Sequence, residues 1–104
     1  MSDHRRRALV LPKTEKILQE MGEQIRLARL RRKLSATMVA ERANISRASL
    51  WKVEKGDPSV TMGVYAKVLA AINLQEDLLL VAKDDALGRF LQDAELNRKG
   101  RREQ

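Results

Sequence analysis

Residues 34–56 read LSATMVAERANISRASLWKVEKG, and this stretch decides the fold. Ser35 is a natural helix N-cap, a residue whose side-chain oxygen accepts from a backbone N–H that the first turn leaves unpaired. It precedes Ala36-Thr37-Met38-Val39-Ala40, so a short helix to Ala43 is expected. Asn44 follows, and Asn tolerates the left-handed conformation of a tight turn. Ile45 is apolar and Ser46 is a second N-cap. The helix Arg47 to Lys55 comes next and closes on Gly56, placed where a left-handed residue ends a helix at little steric cost. Asp57-Pro58-Ser59 is then a loop, because Pro58 cannot continue a helix.

Working outward, Pro12 with Lys13-Thr14 opens a preceding helix, with Thr14 read as its N-cap. From there to Lys33 the apolar residues Ile17, Leu18, Met21, Ile25 and Ala28 share one helical face. Gly22 interrupts this run at a cost of about 1 kcal/mol relative to Ala and marks either a bend or a boundary between two shorter helices. Beyond the loop, Thr61 starts a helix with Val64, Tyr65, Val68, Leu69 and Ile72 on its apolar face, ended by Asn73. Glu76 to Ala82 reads as a fifth short helix, acidic at its start and followed by Lys83, as the helix dipole favours. Asp84 to Leu96 is ambiguous, with Leu87, Phe90 and Leu91 as material for an amphipathic turn or two. The polar tail after Asn97 is expected to be disordered.

Composition agrees with packed helices. The 104 residues are 43% apolar but only 3% aromatic, so the core must be aliphatic. There is no cysteine, which removes disulfides and thiolate metal sites. The one histidine, His4, has no second ligand nearby, and neither a metal nor a cofactor is expected. No apolar run approaches a membrane span and the N-terminus lacks a signal-peptide core, so a cytoplasmic location is expected. Nothing suggests an enzyme: there is no nucleophile beside a histidine, no glycine-rich phosphate loop and no ligand cluster.

The net charge is +7, and its placement is informative. Residues 21–56 hold Arg26, Arg29, Arg31, Arg32, Lys33, Arg42, Arg47, Lys52 and Lys55 against only Glu23, Glu41 and Glu54. Residues 57–96 are acidic, whereas Arg5–Arg7 and residues 98–102 make both ends basic. A basic half suits a phosphate backbone.

Two short helices joined by one tight turn are the architecture of a helix-turn-helix. Val39, Ala40 and Ala43 face inward from the first helix, Ile45 plugs the turn, and Leu50 and Val53 anchor the second. That leaves Arg47, Ala48, Ser49, Trp51, Lys52 and Lys55 on a face suited to a DNA major groove.

Residues Glu23 to about Leu74, from GEQIRLARLRRKLSATMVAERANISRASLWKVEKGDPSV to YAKVLAAINL, resemble the XRE family of phage-repressor-related DNA-binding domains. The resemblance implies an all-α, five-helix, phage-repressor-like domain over residues 14–83. A flexible basic arm precedes it at 1–13 and a C-terminal extension follows at 84–104. It also implies that Arg47, Ala48 and Lys52 read bases, an arginine there suiting guanine O6 and N7. Ser46, Ser49, Lys55, Ser59 and Thr61 match positions that touch phosphates or cap helices, and Arg29 with Glu54 matches a structural ion pair. Family members often carry Gln just after the Ser35-like cap. Ala36 stands there instead, so that contact is absent or passes to Thr37.

Other residues keep two readings. Arg26, Arg31, Arg32 and Lys33 are phosphate contacts or a solvated face. The Arg5–Arg7 arm enters a minor groove or adds only non-specific affinity. Trp51 is read as packing sideways on a neighbouring helix rather than inserting into DNA, and Tyr65 as core or rim.

One short helix reads three or four bases, too few for a specific operator, so a homodimer on two half-sites is expected. Leu74, Leu78, Leu79 and Val81 are the candidate dimer interface. Beyond the domain, the GDPSV loop, YAKVL helix, leucine-rich fifth segment, DDALGRFLQD and basic tail resemble HipB-type antitoxins. That resemblance implies an autorepressor whose partner is a HipA-like serine/threonine kinase toxin. A stand-alone regulator is the alternative. An RNA-binding role is weakened by the scarcity of aromatics to stack on bases.

Overall fold

The computed structural model describes residues 9–103. In chain order it places α1 (Pro12–Arg31), α2 (Ala36–Ala43), α3 (Arg47–Glu54), α4 (Met62–Ala71), a 3₁₀ helix (Gln75–Leu80) and α5 (Ala86–Glu103), with no strand among the described residues. The fold is all-α, as the sequence pattern requires. The Arg5–Arg7 segment and His4 lie outside the described residues.

Local chemistry fixes the element ends. Ser35, Ser46 and Thr61 each hold extended backbone and accept from the N–H three residues on, of Met38, Ser49 and Val64. Each of α1 to α4 ends in a residue of positive φ: Lys33, Asn44, Gly56 and Asn73. The next residue then donates back five positions, as in Leu34 N to Arg29 O, Ile45 N to Ala40 O, Asp57 N to Lys52 O and Leu74 N to Leu69 O. This is the Schellman pattern, with the apolar residue after the left-handed one folded onto the core. Leu34, Ile45 and Leu74 are that residue in three of the helices, and all pack against the core.

The core collects Ile25 and Ala28 from α1, Val39, Ala40 and Ala43 from α2, and Leu50 and Val53 from α3. Tyr65, Val68, Leu69 and Ile72 close it from the α4 side. Tyr65 donates its hydroxyl to Asp57 O at 2.9 Å, which ties the α3–α4 loop to α4.

Four expectations need correction. Helix α1 begins at Pro12 with Leu11 as its cap residue, so Thr14 is inside the helix and Pro12 and Lys13 belong to it rather than to an arm. Proline at the first position needs no N–H partner, which is why it outcompetes Thr14 as the start. Gly22 does not break α1, which is continuous. The segment read as a fifth α-helix is a 3₁₀ helix, Gln75–Leu80. The C-terminal extension is helical through Glu103 rather than disordered after Asn97.

Gly22 has a packing role instead. A Cβ there would meet Gly56 N at 2.6 Å, Val53 O at 2.7 Å and Glu54 O at 2.9 Å. The backbone of α1 therefore lies directly against the end of α3, and Gly56, at φ +71°, meets it from the other side. This contact sets the distance of α3 from the body.

Candidate nucleic-acid interface

Helix α3 is held from behind and bare in front. Leu50 and Val53 are buried, whereas Arg47, Ala48, Trp51, Lys52 and Lys55 are exposed. Helical geometry puts positions 47, 51 and 55 on one line and 48 and 52 on the next. The outward surface is thus one contiguous strip of three cations, a small residue and an indole. The three residues expected to read bases, Arg47, Ala48 and Lys52, all lie on it.

The ion pair between Arg29 and Glu54 anchors the strip. Arg29 Nε donates to Glu54 Oε2 at 2.7 Å and Nη2 to Oε1 at 3.0 Å, a two-pronged pair whose side chains are only 12% and 9% exposed. A third donor, Nη1, reaches Leu34 O at 3.1 Å. One guanidinium therefore binds the end of α1, the turn into α2 and the last turn of α3 together. Its pKa is raised, chiefly by the hydrogen bonds to Glu54 and further by that carboxylate's charge, with burial opposing. Arg29 is consumed by structure and is not available to a phosphate.

The hydroxyls expected at phosphates divide by their hydrogen bonds. Ser46 Oγ accepts from Ser49 N and donates to Ser49 Oγ, both at 3.0 Å. Its proton is thus directed to Ser49, a partly exposed residue. Ser59 directs both its N–H and its Oγ–H to Asp57 Oδ1, at 2.8 and 2.7 Å. As placed, Ser59 shapes the loop and presents no donor outward. Thr61 Oγ1 accepts from Val64 N at 3.3 Å, which leaves its proton for an acceptor. Thr37 is exposed in the first turn of α2, where unpaired backbone N–H groups also point outward.

Cations around the strip are engaged to different degrees. Arg26 pairs with Glu23 at 3.1 Å on the surface of α1. Arg32 donates to Ala28 O at 2.9 Å, capping α1. Arg31, Lys33 and Arg42 are exposed.

Trp51 departs from expectation. It does not pack sideways on a neighbouring helix: it is 62% exposed, with Lys55 Nζ 5.5 Å from its ring centroid. The cause is register, since Leu50 and Val53 already fill the inward face and place Trp51 on the same line as Arg47 and Lys55. The outward face was legible in that i, i+4, i+8 spacing; the expected packing on a neighbouring helix is what the structure corrects.

The residues expected at a dimer interface also separate. Leu74 and Leu78 are half-buried against the chain's own core, whereas Leu79, Leu80 and Val81 are 74%, 62% and 69% exposed. Among the described residues no helix is long and apolar enough to cross a membrane.

A family model for a helix-turn-helix domain matches residues 20–81, more than half of the chain. The match contains α2, the Asn44 turn and α3, and reaches from the α1 contact at Gly22 to the exposed leucines before Ala82. No curated protein matches the chain. With its capped helix pair, buried α2–α3 core and bare cationic α3 face, the chain belongs to the helix-turn-helix domain family of DNA-binding proteins.

Proposed function

We propose that the chain is a transcriptional repressor that binds operator DNA as a homodimer and acts as the antitoxin of a HipA-like serine/threonine kinase toxin. The observation that carries the regulatory part is the strip on α3, where Arg47, Ala48 and Lys52 stand exposed above a buried Leu50–Val53 face. Arg47 offers two donors to guanine O6 and N7, and Lys52 follows about 7.5 Å further along the helix axis, as five residues at 1.5 Å each require. Phosphates are met by Lys55, Ser49, Thr61 and the first turn of α2 near Thr37. One α3 cannot select an operator, so two copies engage half-sites about 34 Å apart. The chain acts by binding, not by catalysis, in the cytoplasm.

Apolar surface outside the DNA-facing strip supports further partners. Leu79 and Val81 serve the second copy. Leu87, Phe90 and Leu91 are 68%, 69% and 57% exposed on α5 and fit a protein partner better than solvent. The kinase assignment rests on the resemblance of the GDPSV-to-tail order to HipB-type antitoxins.

The test is co-expression of this chain, tagged, with the open reading frames that adjoin its gene. A stoichiometric complex with a kinase-like protein, bound to the promoter of the same operon, is expected. A homodimer that binds that promoter alone would establish the stand-alone regulator instead.

A further inference from the structure

We propose that Trp51 is a base-reading residue, its indole edge contacting the C5-methyl group of a thymine within two base pairs of the base that Arg47 reads. The proposal rests on the DNA-binding reading of α3 and adds a specificity element to it.

The first support is place. Trp51 lies on the line that joins Arg47 to Lys55, one turn from each, so it cannot avoid the surface those cations approach. Four residues of helix rise span about 6 Å, or roughly two base steps at 3.4 Å per step. The thymine is therefore expected within two base pairs of the guanine facing Arg47.

The second support is the exposure of an apolar ring among cations. An indole 62% exposed suits a partner that removes it from water. Protein interfaces keep charge away from their apolar centres. Here the ring is bordered by Arg47, Lys52 and Lys55 on its own helix. The recess beside it, about 440 Å³, is also lined by the paired Glu23 and Arg26 and the paired Arg29 and Glu54, so among the described residues the charges beside the ring that have no ion pair are the three cations of α3. A cationic border around an apolar ring matches a nucleic-acid surface, where phosphates take the charges and a thymine methyl takes the ring.

The third support selects the mode of contact. Lys55 Nζ sits over the indole at 5.5 Å from the centroid. Intercalation needs both faces of the ring, whereas an edge contact leaves the ammonium in place and free to meet a phosphate.

Trp51 is the chain's one tryptophan, so its fluorescence reports this contact directly. The full chain is used to select duplexes from a randomised 30-bp library, and emission is recorded against a selected duplex and an unselected one. The selected duplex is expected to shift and quench the emission more strongly. Each thymine of that duplex is then replaced by uracil, which lacks only the methyl group. At one position the substitution should weaken wild-type binding about fourfold, the effect of one lost methyl burial. The same substitution should leave W51A unaffected, while W51F retains part of the dependence. Indifference to every uracil, or equal losses by W51A on both duplexes, would overturn the proposal while leaving DNA binding intact. Failure to bind either duplex at low salt would overturn the DNA-binding reading itself. Because the uracil series uses the wild-type chain, indifference to every uracil overturns the proposal even where W51A folds poorly, and W51F, which keeps an aromatic ring, then assigns a uracil effect to Trp51 rather than Ala48.

Discussion

Replacing Gly22 by Ala tests whether the α1–α3 contact sets the architecture. By helix propensity alone the change is stabilising by about 1 kcal/mol, since Gly22 is inside a continuous helix. The structure reverses the sign. The new methyl would lie 2.6, 2.7 and 2.9 Å from Gly56 N, Val53 O and Glu54 O, all backbone atoms that no rotamer change can remove. Restoring ordinary contact near 3.4 Å requires α1 and α3 to part by roughly 0.8 Å, because repulsion rises steeply below that separation. Overpacking of this kind costs about 1–3 kcal/mol, and an all-backbone collision belongs at the upper end. Subtracting the propensity gain leaves a net loss of about 2 kcal/mol. At 4–8 °C per kcal/mol for a domain this small, Tm falls by roughly 8–16 °C. Thermal unfolding followed by circular dichroism measures it. Gly63→Ala is the control: it also sits in a helix, but its Cβ would meet only Thr61 Oγ1, at an ordinary 3.8 Å. That variant should gain up to about 1 kcal/mol. A Gly22→Ala Tm equal to or above wild type would refute the close approach and the account of what positions α3.

Other outcomes follow from the same geometry. Glu54→Ala leaves Arg29 without its two-pronged partner among buried neighbours and should cost roughly 3 kcal/mol, read by urea unfolding; an unchanged midpoint would count against the pair as a structural tie. Arg47→Ala should weaken a selected duplex by about 1–3 kcal/mol and relax base preference, with equal losses on selected and random duplexes arguing against base reading. Tyr65→Phe should lose about 1 kcal/mol through the hydrogen bond to Asp57 O. Burial, with a smaller contribution from the Asp57 charge, raises the Tyr65 pKa above its ordinary 10.0. The folded state therefore holds this proton longer than the unfolded chain, and stability falls as pH rises past about 10. Tyr65→Phe should flatten that alkaline decline, and a decline of unchanged slope would assign it to other groups.

The helix pair and its ends were legible from the amino-acid sequence alone. Ser35, Ser46 and Thr61 cap, and Asn44 and Gly56 turn left-handed, because those roles depend on a few neighbouring backbone groups and on what one side chain can do locally. The inward set Val39, Ala40, Ala43, Leu50 and Val53 was equally legible, since it follows from helical periodicity. Tertiary structure decided what depends on a partner distant in sequence. Gly22 reads as a weak point until Gly56 and Val53 are seen to lie against it. Trp51 reads as packing sideways on a neighbouring helix until the structure leaves it 62% exposed beside Lys55. Ser59 reads as a phosphate donor until Asp57 is found to take both its protons. Leu78 and Leu79 are neighbours of equal hydrophobicity, yet one leans on the core and the other faces outward. Propensity is a property of short segments, whereas the filling of an interior is settled only when all the segments compete for the same space.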